Sequence, residues 1–307
     1  MIKKLIENVE SAVRGKPEAV RLAVVALIGR GHLLIEDVPG VGKTTLAHSL
    51  ARSINCSFHR VQFTSDLMPS DITGVTVYDQ LRAEFVFKKG PIFANIVLAD
   101  EINRTTPKTQ SALLEAMNEG QVSVEKETYP LPHPFMVVAT QNPLEFSGTF
   151  PLPESQMDRF LIRMRLGYPS LSSEKEILKD RSRGERQNEL SAVLSGGEVE
   201  EIQAAADSVK MDESLMDYIL AIVEATRRSE SLSLGVSPRG TIFLQRAAKA
   251  MAVTEGRDYC IPDDIKRLAV PVLSHRVITS PKAGYRGRNE GAEDVIRDIL
   301  DSVEVPF

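Results

Sequence analysis

Leu33-Leu34-Ile35-Glu36-Asp37-Val38-Pro39-Gly40-Val41-Gly42-Lys43-Thr44-Thr45 has the layout of a phosphate-binding loop. A short apolar strand stops at Glu36, a turn containing Gly and Pro follows, and residues 46–54 read as a helix. In such a turn the backbone of Asp37, Val38, Pro39, Gly40, Val41, Gly42, Lys43, Thr44 and Thr45 curls around phosphates at a helix N-terminus. Lys43 then reaches the β- and γ-phosphates and the Thr44 hydroxyl holds Mg²⁺. The pattern G-x-x-x-x-G-K-[ST] asks for glycine where Asp37 stands. Asp tolerates a left-handed backbone better than most residues, so the loop can close, but a carboxylate beside phosphates is unfavourable.

A second motif supports the first. Ile96-Val97-Leu98-Ala99-Asp100-Glu101 is a buried strand ending in two carboxylates. Ligands of open α/β sheets gather at the carboxyl edge, so Asp100 can meet the Mg²⁺ held by Thr44 while Glu101 polarises an attacking water. Two solvated acids at a strand end are common by themselves, but beside Lys43-Thr44 they point to a site for a nucleotide and Mg²⁺.

The 307 residues are 42% hydrophobic and 26% charged, enough to bury a large core in two domains. With 37 Lys and Arg against 42 Asp and Glu, the formal charge is -5, so no global attraction to nucleic acid or an anionic membrane follows. Cys56 and Cys260 lack a second Cys or a His at metal-ligand spacing and read as reduced thiols. The N-terminal stretch is amphipathic and the apolar run 22–28 is too short to span a bilayer, so the expectation is a cytoplasmic protein without membrane insertion.

Helices are expected at 2–13 and 17–28, and strands at 58–63, 95–99, 135–140 and 160–166. Strands alternating with helices predict an α/β fold, a parallel sheet with helices on both faces. Residues 64–91 read as an insert holding two short strands, and 121–131 as a protruding hairpin around Glu125-Lys126-Glu127. Pro169 and the Ser-rich run after it mark a boundary between residues 1–168 and 169–307, the latter reading as helices only.

Three further positions carry chemistry. Asn142 follows the strand at 135–140, where an amide could orient the lytic water, or simply form the turn before Pro143. Arg239 sits in the first turn of a helix capped by Ser237 and opened by Pro238. This is the unfavourable end of the dipole for a cation, so either a nearby anion such as a γ-phosphate explains it or a small penalty is tolerated. Arg159 precedes a strand and serves either as an arginine finger toward a neighbouring subunit's nucleotide or as a surface ion pair.

Gly31-His32 before the loop, Asp100-Glu101-Ile102-Asn103-Arg104, the run Pro107 through Met117, Ala139-Thr140-Gln141-Asn142-Pro143, Gly148-Thr149-Phe150-Pro151, Asp158-Arg159-Phe160, Ser237-Pro238-Arg239 and Leu273-Ser274-His275-Arg276 together resemble the MoxR family of AAA+ ATPases. The resemblance implies an ATP-hydrolysing P-loop core at 1–168, an all-α lid at 169–307 and a homo-oligomeric ring, usually hexameric, with nucleotide at subunit interfaces. By the same resemblance Asn142 is sensor 1, Arg239 is sensor 2 in the same subunit, Arg159 is the trans-acting finger, and Val13 and Gly15 lie where relatives contact adenine. The insert 64–91 and hairpin 121–131 face the pore. Relatives act as chaperones on a protein client, often beside a von Willebrand factor A domain partner.

The alternatives are a nucleic-acid motor or loader and a nucleotide-gated binding switch with little turnover. Lys88-Lys89, Arg227-Arg228 and Arg286-Gly287-Arg288 are basic but scattered, without interleaved aromatics, which favours solvated faces over a nucleic-acid groove.

Overall fold

The computed structural model describes residues 1–125, 127–143, 148–182, 190–281 and 288–306. Lys126 of the expected hairpin and the basic Arg286-Gly287 lie outside them. In chain order the elements are α1 (Ile2–Ala12), α2 (Pro17–Ile28), β1 (Leu33–Glu36), α3 (Lys43–Ser53), β2 (Phe58–Gln62), α4 (Pro69–Thr73), β3 (Gly74–Asp79), β4 (Glu84–Lys89) and β5 (Ile96–Asp100). A 3₁₀ turn (Ile102–Arg104) leads to α5 (Pro107–Glu119), β6 (Gln121–Val124), β7 (Glu127–Pro130), β8 (Met136–Gln141), α6 (Glu154–Met157), β9 (Ile162–Met164), α7 (Leu171–Ser182) and α8 (Gly196–Asp207). Then come α9 (Glu213–Arg228), β10 (Leu232–Leu234), α10 (Pro238–Thr254), α11 (Pro262–Leu273), a second 3₁₀ turn (Ser274–Arg276), β11 (Ile278–Thr279) and α12 (Arg288–Ser302).

The chain divides into two compact units: Met1–Val24 with His32–Leu152 and Met164–Glu200, and Val25–Gly31 with Pro153–Arg163 and Glu201–Phe307. The main sheet has the order β2-β5-β8-β1-β9. Its central strands are continuous apolar runs because both faces are covered: Leu33 to Ile35, Ile96 to Ala99 and Met136 to Ala139 are all buried. β8 pairs in parallel with β1 and β5, and β5 with β2, so these strands end at one edge of the sheet.

Several boundaries differ from the sequence expectation for physical reasons. α3 starts at Lys43, ahead of its first apolar residue Leu46, because Gly42 at φ 102 turns the chain directly into the helix and leaves a polar first turn. β9 is shorter than 160–166. The carbonyls of Phe160 and Leu161 accept from the Arg276 guanidinium instead of joining a ladder. The insert is one antiparallel hairpin, β3–β4, preceded by the unanticipated helix α4. Its Phe87 ring stacks on Tyr129 of the β6–β7 hairpin with centroids 4.3 Å apart, which ties the two protrusions together.

In the second unit, α9 buries Leu215, Tyr218, Ile219, Ile222, Val223 and Thr226, the stripe expected of an amphipathic helix. The end of α2 belongs here: Gln203 Nε2 donates to Leu27 O at 2.7 Å. The Arg257 guanidinium forks onto Asp264 at 2.6 and 2.9 Å, and Asp264 accepts the Ile261 N–H at 3.0 Å, fixing the start of α11. The helices are joined by a small antiparallel pair, β10–β11, too short to announce itself by periodicity.

His32, just before β1, is buried, with Nε2 3.0 Å from Met117 O and Nδ1 accepting the Val137 N–H at 3.0 Å. That fixes a neutral ring protonated on Nε2, and burial lowers its pKa to about 4. Between about pH 6.5 and 4 the unfolded chain therefore takes up a proton the folded chain refuses, and stability falls with pH across that window by about 3 kcal/mol. An NMR titration of the ring nitrogens is expected to show His32 neutral until about pH 4; protonation near 6.5 would contradict this.

Candidate functional site

The register of the sheet builds the site. Glu36 stands opposite Gln141, Ile35 opposite Thr140, and Ala99 opposite Ala139, so the loop after β1, the polar end of β8 and the acids after β5 emerge at one edge. Gly40 and Gly42 have φ of 86° and 102°, and a Cβ on either would meet nothing within 4 Å, leaving an open cradle in front of the α3 N-terminus. A phosphate chain fits such a cradle. Thr44 is exposed in the first turn of α3, and Lys43 is buried with its ammonium donating to the Asp37 carbonyl at 2.7 Å.

Asp37 differs from its expected behaviour. It has no positive φ, so the loop closes without a left-handed residue there. Its carboxylate is turned into the protein: Oδ1 accepts the Val38 N–H at 2.9 Å and Oδ2 accepts the Gly167 N–H at 2.6 Å. The anion is thus engaged by backbone donors, which answers the electrostatic objection to it near phosphates.

Asp100 and Glu101 are joined through Thr140. The buried Thr140 hydroxyl donates to Asp100 Oδ1 at 2.6 Å and accepts the Glu101 N–H at 2.9 Å. Glu101 holds the left-handed conformation, φ 58° and ψ 50°, a strain of about 1–3 kcal/mol for a residue with a Cβ. The turn redirects its side chain at the end of the strand. There Glu101 Oε2 accepts from Gln62 Nε2 at 2.8 Å and from Arg104 Nη1 at 3.0 Å, while Asp100 Oδ2 accepts from Arg60 Nη2 at 2.6 Å and Nε at 3.1 Å. Buried Gln110 donates to the carbonyls of Ile102 and Phe150, both at 3.0 Å, bracing the 3₁₀ turn behind the acids.

Asn142 is buried one residue past β8, at the same edge. Val13 and Gly15 line a cavity of about 400 Å³ with Glu10, Arg14, Lys16 and Glu176, a volume suited to a small-molecule moiety. Gly15 has φ 72°, and a Cβ there would lie 2.2 Å from the Ser173 hydroxyl, so glycine is required. Arg159 and Arg239 belong to the second unit. The anion beside Arg239 is a protein carboxylate: its Nη1 lies 3.6 Å from Asp158 Oδ2.

Arg60, Gln62, Thr140 and Gly167 were not anticipated. The signal for Thr140 is a polar residue late in an apolar strand; that for Arg60 and Gln62 exists only once β2 is registered against β5, where Gln62 faces Asp100. Among the described residues no cluster of three or more His, Cys, Asp or Glu could hold a metal by itself. No helix among them is long and apolar enough to cross a membrane.

The fold has counterparts among known proteins. Residues 32–162 match the ATPase family associated with various cellular activities (AAA), and residues 224–299 match the AAA lid domain. The chain is 48% identical to the uncharacterized protein YeaC of Bacillus subtilis, covering 100% of this chain and 95% of that protein. It is 40% identical to the chaperone MoxR1 of Mycobacterium tuberculosis, covering 99% and 82%, and 30% identical to the protein MoxR of Methylorubrum extorquens, covering 97% and 93%. A crystal structure assigned as an ATPase from Cytophaga hutchinsonii superposes with a TM-score of 0.91 at 40% identity, covering 100% of this chain and 95% of that one.

Replacing Asp37 by glycine separates its structural duty from any effect on phosphates. Asp37→Gly is expected to lower unfolding free energy by about 1–3 kcal/mol, because the Gly167 N–H loses a charged acceptor. Nucleotide affinity is expected to stay within about three-fold, since the carboxylate already has its donors. Chemical denaturation and fluorescent-nucleotide titration check both; an affinity gain of more than about ten-fold would mean the carboxylate repels phosphate.

Proposed function

Because the chain belongs to the MoxR family of AAA+ ATPases, we propose that it hydrolyses ATP to drive chaperone-like remodelling or maturation of a protein complex. The observation that carries this reading is the Thr140 hydroxyl, which holds Asp100 and the Glu101 backbone in one arrangement at the edge where the glycine turn emerges. Thr44 and Asp100 would hold Mg²⁺, which would neutralise charge on the phosphates when bound.

The protein's own groups do the rest. The N–H groups of the loop from Asp37 to Thr45 cradle the phosphates, and Lys43 exchanges the Asp37 carbonyl for phosphate oxygens. Glu101, aimed by its left-handed backbone, accepts a proton from the attacking water, and Asn142 orients that water. Arg239 senses the γ-phosphate of its own subunit, Arg159 that of a neighbour in a hexameric ring, and Val13 and Gly15 border the base. The protein acts in the cytoplasm on a client, with a von Willebrand factor A domain partner in attendance. The Mycobacterium relative's designation as a chaperone favours a protein client over nucleic acid.

Glu101→Gln is expected to bind ATP and to hydrolyse it about 10²–10⁴-fold more slowly, the range for loss of a positioned general base. Unchanged steady-state turnover with intact binding would remove Glu101 from that role. Affinity capture with this variant and ATP is expected to retain a polypeptide client; recovery of nucleic acid alone would favour a motor acting on DNA or RNA.

A further inference from the structure

The Leu273-Ser274-His275-Arg276 run has no part in the chemistry above, yet it contains a guanidinium almost wholly removed from water. The Arg276 side chain is 1% exposed. A charge so placed is tolerated only when its donors are met, and here they are met mostly by backbone carbonyls. Nη2 donates to Asp158 O at 3.2 Å and to Phe160 O, and Nη1 donates to Val272 O at the end of α11. The two carbonyls nearest α6 are those immediately before and after Arg159. Its Cζ lies over the Phe243 ring, 4.9 Å from the centroid, a cation–π contact that adds to the hold on the guanidinium.

Nε lies 3.0 Å from Asp158 Oδ1, a buried ion pair without the alignment of a hydrogen bond. The other oxygen of the same carboxylate is 3.6 Å from Arg239, whose side chain is 48% exposed. Asp158 therefore holds two arginines unequally. The buried pair with Arg276 is short and shielded, whereas the pair with Arg239 is long, half in solvent and easily exchanged for another anion.

We infer that Asp158 and Arg276 form a clamp that positions Arg159, and that the Asp158–Arg239 pair is a releasable link through which a subunit's own nucleotide sets the finger it offers to its neighbour. The inference rests on the proposed roles of Arg159 and Arg239. With Arg239 on Asp158 the carboxylate is shared; when Arg239 moves to a γ-phosphate, the whole carboxylate charge falls to Arg276, tightening the cage around both carbonyls that flank Arg159. Asp158 and Arg276 are positioning residues: they touch the segment carrying the finger and not the reacting atoms.

Mixed rings test this. Acceptor subunits carry Arg159→Ala and keep Glu101; donor subunits carry Glu101→Gln and keep Arg159, so turnover in an equal mixture depends on donor fingers. Adding Asp158→Asn to the donor is expected to lower that turnover at least about ten-fold, toward the roughly 10²-fold that a 1 Å misplacement costs. Adding it to the acceptor is expected to cost less than about three-fold. Arg276→Lys in the donor, which keeps the charge but loses the fork, is expected to reproduce the donor-side loss. Fluorescent-ATP binding by each donor shows that it is folded, and Arg276→Lys carries the test if Asp158→Asn does not bind. Equal losses on both sides, or none on the donor side, overturn the clamp. A reference mixture no more active than its parents instead overturns the trans-finger reading, and the clamp with it.

Discussion

The register of β1, β8 and β5 is the constraint on which the rest depends. These strands are apolar on both faces, and a slip of one residue would exchange the faces on which their side chains pack. The register that buries them also sets Glu36 against Gln141 and Ala99 against Ala139, so the glycine turn and the two acids emerge at one edge. Burial of strand residues away from that edge thus fixes where the glycine turn and the two acids stand. Thr140 adds what a ladder cannot: its hydroxyl locks the Asp100 side chain to the backbone of a strained Glu101.

Charged groups in the site already have protein partners. Lys43 donates to the Asp37 carbonyl, Asp100 faces Arg60, and Glu101 accepts from Gln62 and Arg104. Ligand binding is then an exchange of partners, and the affinity is a difference between two sets of contacts rather than the sum of new ones. Such exchanges let a nucleotide move protein groups: each partner that is released becomes available elsewhere.

What could be read from the sequence was local. The glycine turn, the acids ending an apolar strand and the Ser237 cap each occupy a few consecutive residues, and their chemistry follows from spacing. The start of α3 is hidden in the sequence because its first turn is polar by necessity, and β9 reads as longer than it is because Phe160 and Leu161 are apolar although their carbonyls serve Arg276. Asp37 could not be resolved from its position in the motif, since its partner Gly167 lies 130 residues away. The roles of Arg60 and Gln62 needed the β2–β5 register. Asp158 gave no sign of serving two arginines.

The central claim is that the glycine turn and the acidic strand end share one magnesium nucleotide. Isothermal titration calorimetry with ATP and Mg²⁺ tests it most directly when wild type, Lys43→Ala and Asp100→Asn are compared. The account predicts saturable heat for wild type, its loss in Lys43→Ala, and a loss of magnesium dependence in Asp100→Asn. Absence of binding heat in the wild type at saturating ATP and metal, or binding indifferent to both substitutions, would contradict it.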